Sequence, residues 1–375
     1  MKIVHTLHSY YPAVGGLEKV VQKLAEEQAK LGHEVHVITS QASVKDSPVE
    51  EELNNVYVHR VKAWRLHYPD LTIPRGLNEG LLRGADVVHA HSQNSLFNMF
   101  IVKRAKSLGA KIAIYFIGID YLRKHPNPII RLLGYQYQKA ITKRLIGLVD
   151  LAIVTNDYER SILRERYGLE SVVLPHGVSE QYLKTPSMAN HFRSKYGVQG
   201  RIIAYVGRIH PTKGLDLLIR AFAEVAKKKS DVTLVIAGKG DARYLKKCMK
   251  LVKVLGLENR VKYLGYISEE DKIGLIDSSE FIVLPSRHAG ESYPLIIDEV
   301  KARGKPLIVT NCGALPHRIV NMVEGIVVGA NVHSLVNGIN YMLSNVSSFQ
   351  VLSRPYTWRE VCDKLLIIYR NMLDR

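Results

Sequence analysis

Short apolar runs rich in β-branched residues alternate with longer amphipathic stretches along the whole chain. KIVHTL (2–7), EVHVITS (34–40), VYVHRV (56–61), DVVHAH (86–91), KIAIYF (111–116), LAIVT (151–155) and VVLP (172–175) read as buried strands. Glu18 to Leu31 and Asn94 to Leu108 carry the helical period between them. Such alternation predicts a parallel α/β layer. The pattern weakens over 176–200, a polar stretch holding Pro186 and several glycines, which predicts a connection between domains. It restarts with RIIAYVG (201–207), TLVIAG (233–238), VKYLGYI (261–267), FIVLPS (281–286), PLIVT (306–310) and GIVVG (325–329). Each half opens on a strand, a glycine-bearing turn and a helix. The expected fold is therefore α/β, with two Rossmann-like domains facing each other across a cleft. The expected domains are 1–178 and 179–356, with a final helix over 357–375 that packs back on the first. Ligands of open parallel sheets sit beyond the carboxyl ends of the strands, so the loops there are the ones to read for chemistry.

A length of 375 residues agrees with two domains, because single cores stop growing near ~250–300 residues. The 46% hydrophobic content is that of a globular protein. The run IAIYFIGI over 112–119 is far short of the roughly 18 residues a membrane helix needs. No cleavage pattern follows the apolar stretch at the N-terminus, so the expected location is the cytoplasm, free or peripheral on the cytoplasmic membrane face. Cys248, Cys312 and Cys362 lie too far apart for a zinc spacing or a disulfide framework. A net charge of +17 calls for an anionic partner. Between 101 and 144 ten cations meet one acid, Asp120, and NPIIRLLGYQYQKAITKRL (127–145) mixes Ile, Leu and Tyr with Lys and Arg. That is the makeup of an interfacial helix at an anionic membrane, and equally of a solvated face whose tyrosines reach the core. No recognisable nucleic-acid-binding module accompanies the charge, so nucleic acid is not an expected partner.

Gly15 and Gly16 fall between the first strand and its helix. Bare backbone there lets N–H groups approach an anion at the helix N-terminus, although a plain tight turn accounts for the pair equally well. The fingerprint G-x-G-x-x-G is absent, which argues against a nicotinamide enzyme. GRIHPTKG (207–214) says more: Arg208 and Lys213 ride a loop bounded by Gly207 and Gly214. Arginine grips phosphate in a fork, and lysine adds a mobile point charge. A unit-charge pair near 4 Å is worth about 4 kcal/mol gross at an effective dielectric of 20, so two cations can hold a departing diphosphate. The chain has no Asp-x-Asp triplet, and neither metal nor cofactor is expected. In ESYPLIIDE (291–299), Glu291 falls in a loop, Pro294 in the first turn of a helix and Glu299 on the second turn. The amides of Leu295 and Ile296 then point out of the helix as an anion site. Carboxylates on either side of phosphate-seeking amides suit a nucleotide sugar, which has ribose hydroxyls at one end and hexose hydroxyls at the other. His89 and His91 close a buried strand. Such histidines are more often structural, and His91 is the one placed to position an acceptor.

Taken together, ESYPLIIDEVKARGKPLIVT, GRIHPTKGLDLLIRAF, GGLEKVV with DVVHAHS, and LPHGVSEQYL resemble the retaining glycosyltransferases of family 4, often called group 1, which have the two-domain GT-B fold. The likeness spans nearly the whole chain. It implies a catalytic set of Arg208, Lys213 and Glu291, with the cations on the diphosphate and Glu291 on the donor sugar. It implies donor contacts from Glu299 to the ribose and from Gly207, Ser292, Tyr293, Pro294 and Leu295 to sugar and phosphate. Gly16 would approach the phosphate from the first domain, while Gly265, Tyr266 and Ile267 would lie beside the base. Gly15, His91 and Asp120 would stand on the acceptor side. Many members carry His-Gly-x-Asp after a first-domain strand; here YFIGID puts Ile117 in place of that His and keeps Gly118 and Asp120. His176 stands where Asn is common before Gly177. The implied reaction moves a hexosyl group from a nucleoside diphosphate sugar to an acceptor hydroxyl, on a lipid-linked or cell-surface glycan precursor. Ile117 leaves open a sugar-nucleotide-binding protein that no longer transfers, and the architecture leaves open an epimerase.

Overall fold

Near-continuous Val, Ile and Leu runs form strands that are covered on both faces, as parallel sheets require. The computed structural model describes all residues except Val14, His67 and Pro126. They divide into two units, Met1–Gly177 with Tyr356–Arg375, and Val178–Pro355. The first unit contains β1 (Lys2–Thr6), β2 (Glu34–Ser40), β3 (Glu50–Leu53), β4 (Val56–Val61), β5 (Ala63–Arg65), β6 (Thr72–Pro74), β7 (Val87–His91), β8 (Lys111–Phe116), β9 (Leu151–Val154) and β10 (Val172–Val173). Eight of them make one sheet in the order β10-β9-β8-β7-β1-β2-β4-β3. The sequence pattern missed β3, which pairs antiparallel with β4, and the small β5–β6 hairpin. Both are short, and β3 is the acidic run EEEL with no buried position.

Helices α1 (Gly16–Lys30), α2 (Leu96–Ser107), α3 (Tyr135–Ile146) and α4 (Asp157–Tyr167) join these strands. Val20, Val21, Leu24 and Ala25 form the buried stripe of α1. The C-terminal helix Trp358–Leu373 starts from a capping box of Thr357 and Glu360. It lies in this unit, against α1. None of the described helices is long and apolar enough to cross a membrane.

The second unit opens on α5 (Gln181–Lys184) and α6 (Ala189–Tyr196). The polar stretch 176–200, expected as a connection between domains, carries two short helices. Tyr182 and Phe192 explain the difference, since both are buried in the second unit's core. The sheet follows: β11 (Arg201–Val206), β12 (Val232–Ala237), β13 (Val261–Tyr263), β14 (Ser279–Leu284), β15 (Leu307–Thr310) and β16 (Gly325–Val328). They are joined by α7 (Leu215–Ala226), α8 (Ala242–Val254), α9 (Glu269–Ser278), α10 (Leu295–Ala302) and α11 (Val332–Asn345). The order is β13-β12-β11-β14-β15-β16, parallel throughout. The chain winds outward in opposite directions from the β11–β14 pair. That reversal is the switch point where open α/β sheets bind ligands.

Candidate functional site

The loops that leave β11 and β14 are stitched together at this switch point. Gly214 has φ +70, and a Cβ there would stand 2.0 Å from the carbonyl oxygen of Pro285, so only glycine lets the two loops touch. The Arg287 amide donates to the Thr212 carbonyl at 2.9 Å, and the Arg287 guanidinium pairs with Asp216 at the start of α7. Lys213 Nζ thereby comes to 2.5 Å from Glu291 Oε1. The Ser286 hydroxyl donates to the same oxygen at 2.8 Å. A third loop, after β15, fixes the Glu291 backbone: the Ala314 amide donates to its carbonyl at 2.7 Å. Gly313, at φ +54, permits that approach, because a Cβ would meet the Glu291 carbonyl oxygen at 2.5 Å. The result is a buried carboxylate whose position is set from three strand ends. Arg208, on the same loop as Lys213, is exposed and makes no ion pair among the described residues. Its carbonyl accepts from the Tyr205 hydroxyl at 2.8 Å, and the Gly207 amide bonds to the Ala237 carbonyl at 3.1 Å.

Helix α10 begins one residue later than the sequence pattern placed it. Pro294 is its N-cap, with ψ 116, and Leu295 is the first helical residue. A proline can serve there because the cap's N–H is not part of the helical ladder. The amides of Leu295 and Ile296 thus occupy the first two helical positions, and the Ile297 amide bonds back to the Pro294 carbonyl at 3.1 Å. Ser292 is buried, and Tyr293 is partly covered by the Arg318 guanidinium, 3.2 Å from its ring centroid. Arg318 in turn holds Asp298 at 2.7 Å. Glu299 is buried on the second turn and pairs with Lys272 of α9 at 2.8 Å. Lys272 also reaches Glu269 at 3.2 Å, whose carboxylate accepts from the Tyr182 hydroxyl at 2.7 Å. Burial first, and then the Glu299 and Glu269 charges, push the Tyr182 phenol far upward. Sequence reading missed Lys272, since nothing in its neighbourhood singles it out among 52 cations. Gly265, Tyr266 and Ile267 link β13 to α9. The Gly265 carbonyl accepts from the Gly238 amide at 2.7 Å, Lys239 lies 4.8 Å over the exposed Tyr266 ring, and Ile267 packs on the core.

Gly15, Gly16, His91 and Asp120 belong to the other unit. Gly15 caps α1, and Gly16 is its first residue. A Cβ at Gly16 would meet nothing within 4 Å. The protein's own packing therefore does not demand glycine there, and the space at the helix N-terminus is open to a ligand.

His91, expected on the acceptor side, is completely buried. The β1–β7 register sets His5 opposite His89, while α1 and the C-terminal helix cover the group with Gln28 and Tyr369. His5 Nε2 donates to Gln28 Oε1 at 2.6 Å, so its Nδ1 accepts from His91 Nε2 at 2.9 Å. The Tyr369 hydroxyl lies 2.5 Å from His89 Nδ1. Burial lowers His5 to about 4 and holds His89 and His91 well below the usual imidazole value. Among the described residues these three histidines alone bring ligand atoms close enough, within 4.8 Å, to hold a metal ion. No carboxylate is in that trio to balance a buried cation, and both ring nitrogens of His5 are already engaged. His176 continues the aromatic stack, 5.5 Å from Tyr115 and 6.2 Å from Trp358.

Asp120 is also buried, and its carboxylate is shared by Arg166, Lys124 at 3.1 Å and Arg123 at 3.7 Å. Burial alone would raise its pKa, but Arg166 and Lys124 hold it below the ordinary value. The carboxylate is thus the hub of an ion-pair cluster. The loop before it is held through backbone groups. The Ile117 amide donates to Gln93 Oε1 at 2.9 Å and its carbonyl accepts from Gln93 Nε2 at 3.1 Å. The Gly118 amide donates to Glu159 at 2.6 Å.

Comparison with known proteins agrees with this architecture. Residues 14–182 match the family described as Glycosyltransferase Family 4, and residues 189–353 match Glycosyl transferases group 1. The D-inositol 3-phosphate glycosyltransferase of Mycolicibacterium smegmatis is 27% identical over 411 residues, covering 99% of this chain and 90% of that one. Among solved structures, the sucrose-phosphate synthase of Thermosynechococcus elongatus superposes with a TM-score of 0.79 over 100% of both chains, at 18% identity. Anabaena HepE in complex with UDP and glucose gives 0.74 over 99% of both chains, at 17% identity. At such identities the structural likeness speaks for the fold.

Proposed function

Because the chain belongs to the group 1 glycosyltransferases with the GT-B fold, we propose that it moves a hexosyl group from a nucleoside diphosphate sugar to an acceptor hydroxyl, with retention at the anomeric carbon and without a metal. The carrying observation is the contact of Lys213 with Glu291 at 2.5 Å, beside the N-terminus of α10 and at the switch point of the second sheet. Glu291 can accept from a sugar hydroxyl, and Glu299, held by Lys272, from a ribose hydroxyl. Arg208, Lys213 and the amides of Leu295 and Ile296 would neutralise the departing diphosphate.

Glu291 is anchored by Lys213 and Ser286, and Glu299 by Lys272. Both therefore suit binding better than nucleophilic attack, which in retaining glycosidases requires two carboxylates about 5 Å apart across the scissile bond. The leaving diphosphate would instead take the acceptor's proton on the face it departs from. Catalysis is then mainly positioning and charge stabilisation. The acceptor is taken to be a lipid-linked glycan precursor at the cytoplasmic membrane face.

A thermal-shift screen of uridine, guanosine and adenosine diphosphate sugars, followed by product detection with the stabilising donor, tests the reading. Stabilisation with slow donor hydrolysis or transfer is the expected result. Stabilisation without turnover would identify a binding protein, and sugar rearrangement without acceptor an epimerase. No stabilisation by any of these donors would remove the donor assignment.

A further inference from the structure

The basic segment 101–144 does not act as one surface. On α2, Arg104 pairs with Glu79 and Lys106 with Asp150 at 2.6 Å, so these cations are spent within the fold. On α3 the inward side is also settled. The Tyr137 hydroxyl donates to the Asn94 carbonyl at 2.6 Å, Gln138 bonds to Asn94 Oδ1 at 2.9 Å, and Ile141 and Leu145 are core residues. What faces solvent is unusual for a solvated helix. Leu132 and Leu133, on the π-helical turn Ile130–Gly134 that leads into α3, are 65% and 64% exposed, and Ile129 just before it is 66% exposed. Arg131, Lys139, Lys143 and Arg144 are exposed around and beyond them and make no ion pair among the described residues.

The β5–β6 hairpin is tied to this segment. The Tyr68 and Tyr121 hydroxyls lie 3.3 Å apart, and the Tyr137 hydroxyl also reaches the Asp70 carbonyl at 3.4 Å. The hairpin carries Trp64, 58% exposed beneath the Arg75 guanidinium at 4.2 Å, and Leu66, 56% exposed. Exposed Leu, Ile and Trp among uncompensated cations, with Asp120 buried in its own ion pairs, match a bilayer interface. Apolar side chains enter the headgroup boundary, Trp prefers that level, and Lys and Arg meet anionic lipid.

We propose that Ile129, Leu132, Leu133 and the α3 cations, with the Trp64 hairpin beside them, form a docking surface for an anionic lipid bilayer. The proposal rests on the transfer reading above only for its purpose, which is to bring the enzyme to a membrane-borne acceptor. The surface itself is tested separately.

The chain has two tryptophans, and Trp358 is buried, so a change in emission on binding reports Trp64. The full chain is mixed with phosphatidylcholine vesicles, with and without about 30% phosphatidylglycerol, at about 50 mM salt. Expected are a blue shift and at least about tenfold stronger co-sedimentation on the anionic vesicles. The triple variant Ile129→Ser, Leu132→Ser, Leu133→Ser should lose about tenfold of that binding or more while keeping the wild-type thermal shift with donor. Equal pelleting on both vesicle types, or undiminished binding by the triple variant, overturns the proposal. So does a solution dimer that the triple variant abolishes, since a second copy would then cover this face. A wild-type protein that binds vesicles but no donor would count against the reaction and leave the docking surface standing.

Discussion

Arg208→Ala separates function from folding more cleanly than any other change at the site. The guanidinium is exposed and free of ion pairs among the described residues, and only the backbone carbonyl of Arg208 is used, by Tyr205. Removing the side chain should therefore move the unfolding free energy by no more than about 0.5 kcal/mol. Its effect on turnover follows from charge. A unit cation about 4 Å from a phosphate oxygen contributes about 4 kcal/mol gross at an effective dielectric of 20. Loss of one preorganised stabiliser typically costs about 2.7–4 kcal/mol, a factor of roughly 100 to 1,000 in kcat. Because Arg208 is solvent-exposed, the expectation sits at the lower end, near 100-fold. The assay is release of nucleoside diphosphate under saturating donor, with chemical unfolding measured in parallel. A variant within about threefold of wild type on a donor and acceptor that the wild type uses would refute the diphosphate assignment. An equal loss of stability would show that Arg208 serves the fold instead.

Gly16→Ala should leave stability nearly unchanged, because the added methyl meets open space, while raising the KM for donor about tenfold or more if a phosphate uses that space; an unaltered KM would assign the glycine to the turn alone. Lys272→Ala removes a partner of the buried Glu299 carboxylate and should lower unfolding stability by about 2 kcal/mol in urea titration; an unchanged midpoint would mean the pair is dispensable. Stability should also fall as pH drops from neutrality. His5 is held at about 4, and His89 and His91 well below 6.5, by burial, so the unfolded chain binds protons that the folded one refuses. The stabilisation is full above about 6.5 and lost as pH falls below it, on the order of 3 kcal/mol from His5 alone between about 6.5 and 4. Urea midpoints that stay flat between pH 7 and 5 at constant ionic strength would contradict a neutral histidine cluster.

Several features were readable from the chain because their causes are local. Strands β1, β2, β4, β7, β8 and β11 coincide closely with the apolar runs, since both faces of a parallel sheet are buried and the signal is continuous. VKYLGYI overreached: β13 ends at Tyr263, and Gly265 at φ +71 turns the chain away. The Arg208 and Lys213 loop and the Glu291 to Glu299 spacing were visible as patterns. Their partners were not, for Lys213 finds Glu291 78 residues on. The burial of His91 and Asp120 was hidden for the same reason. A histidine at a strand end reads alike whether it faces solvent or is covered by α1 and the C-terminal helix, and Asp120 gave no sign that Arg166 would close on it.

Alternating strands and helices, excess positive charge, a cation-bearing loop and a carboxylate-bearing helix are all encoded locally, because periodicity and composition act over a few residues. Which of those charges remain available depends on how the chain folds. Arg104, Lys106 and Asp120 are consumed in ion pairs formed across the fold, while Arg208 and the α3 cations stay free of ion pairs among the described residues. A charge is set by its neighbours in space. Those neighbours are fixed by strand order and by close approaches such as Gly214 on Pro285 and Gly313 on Glu291, which no local pattern encodes.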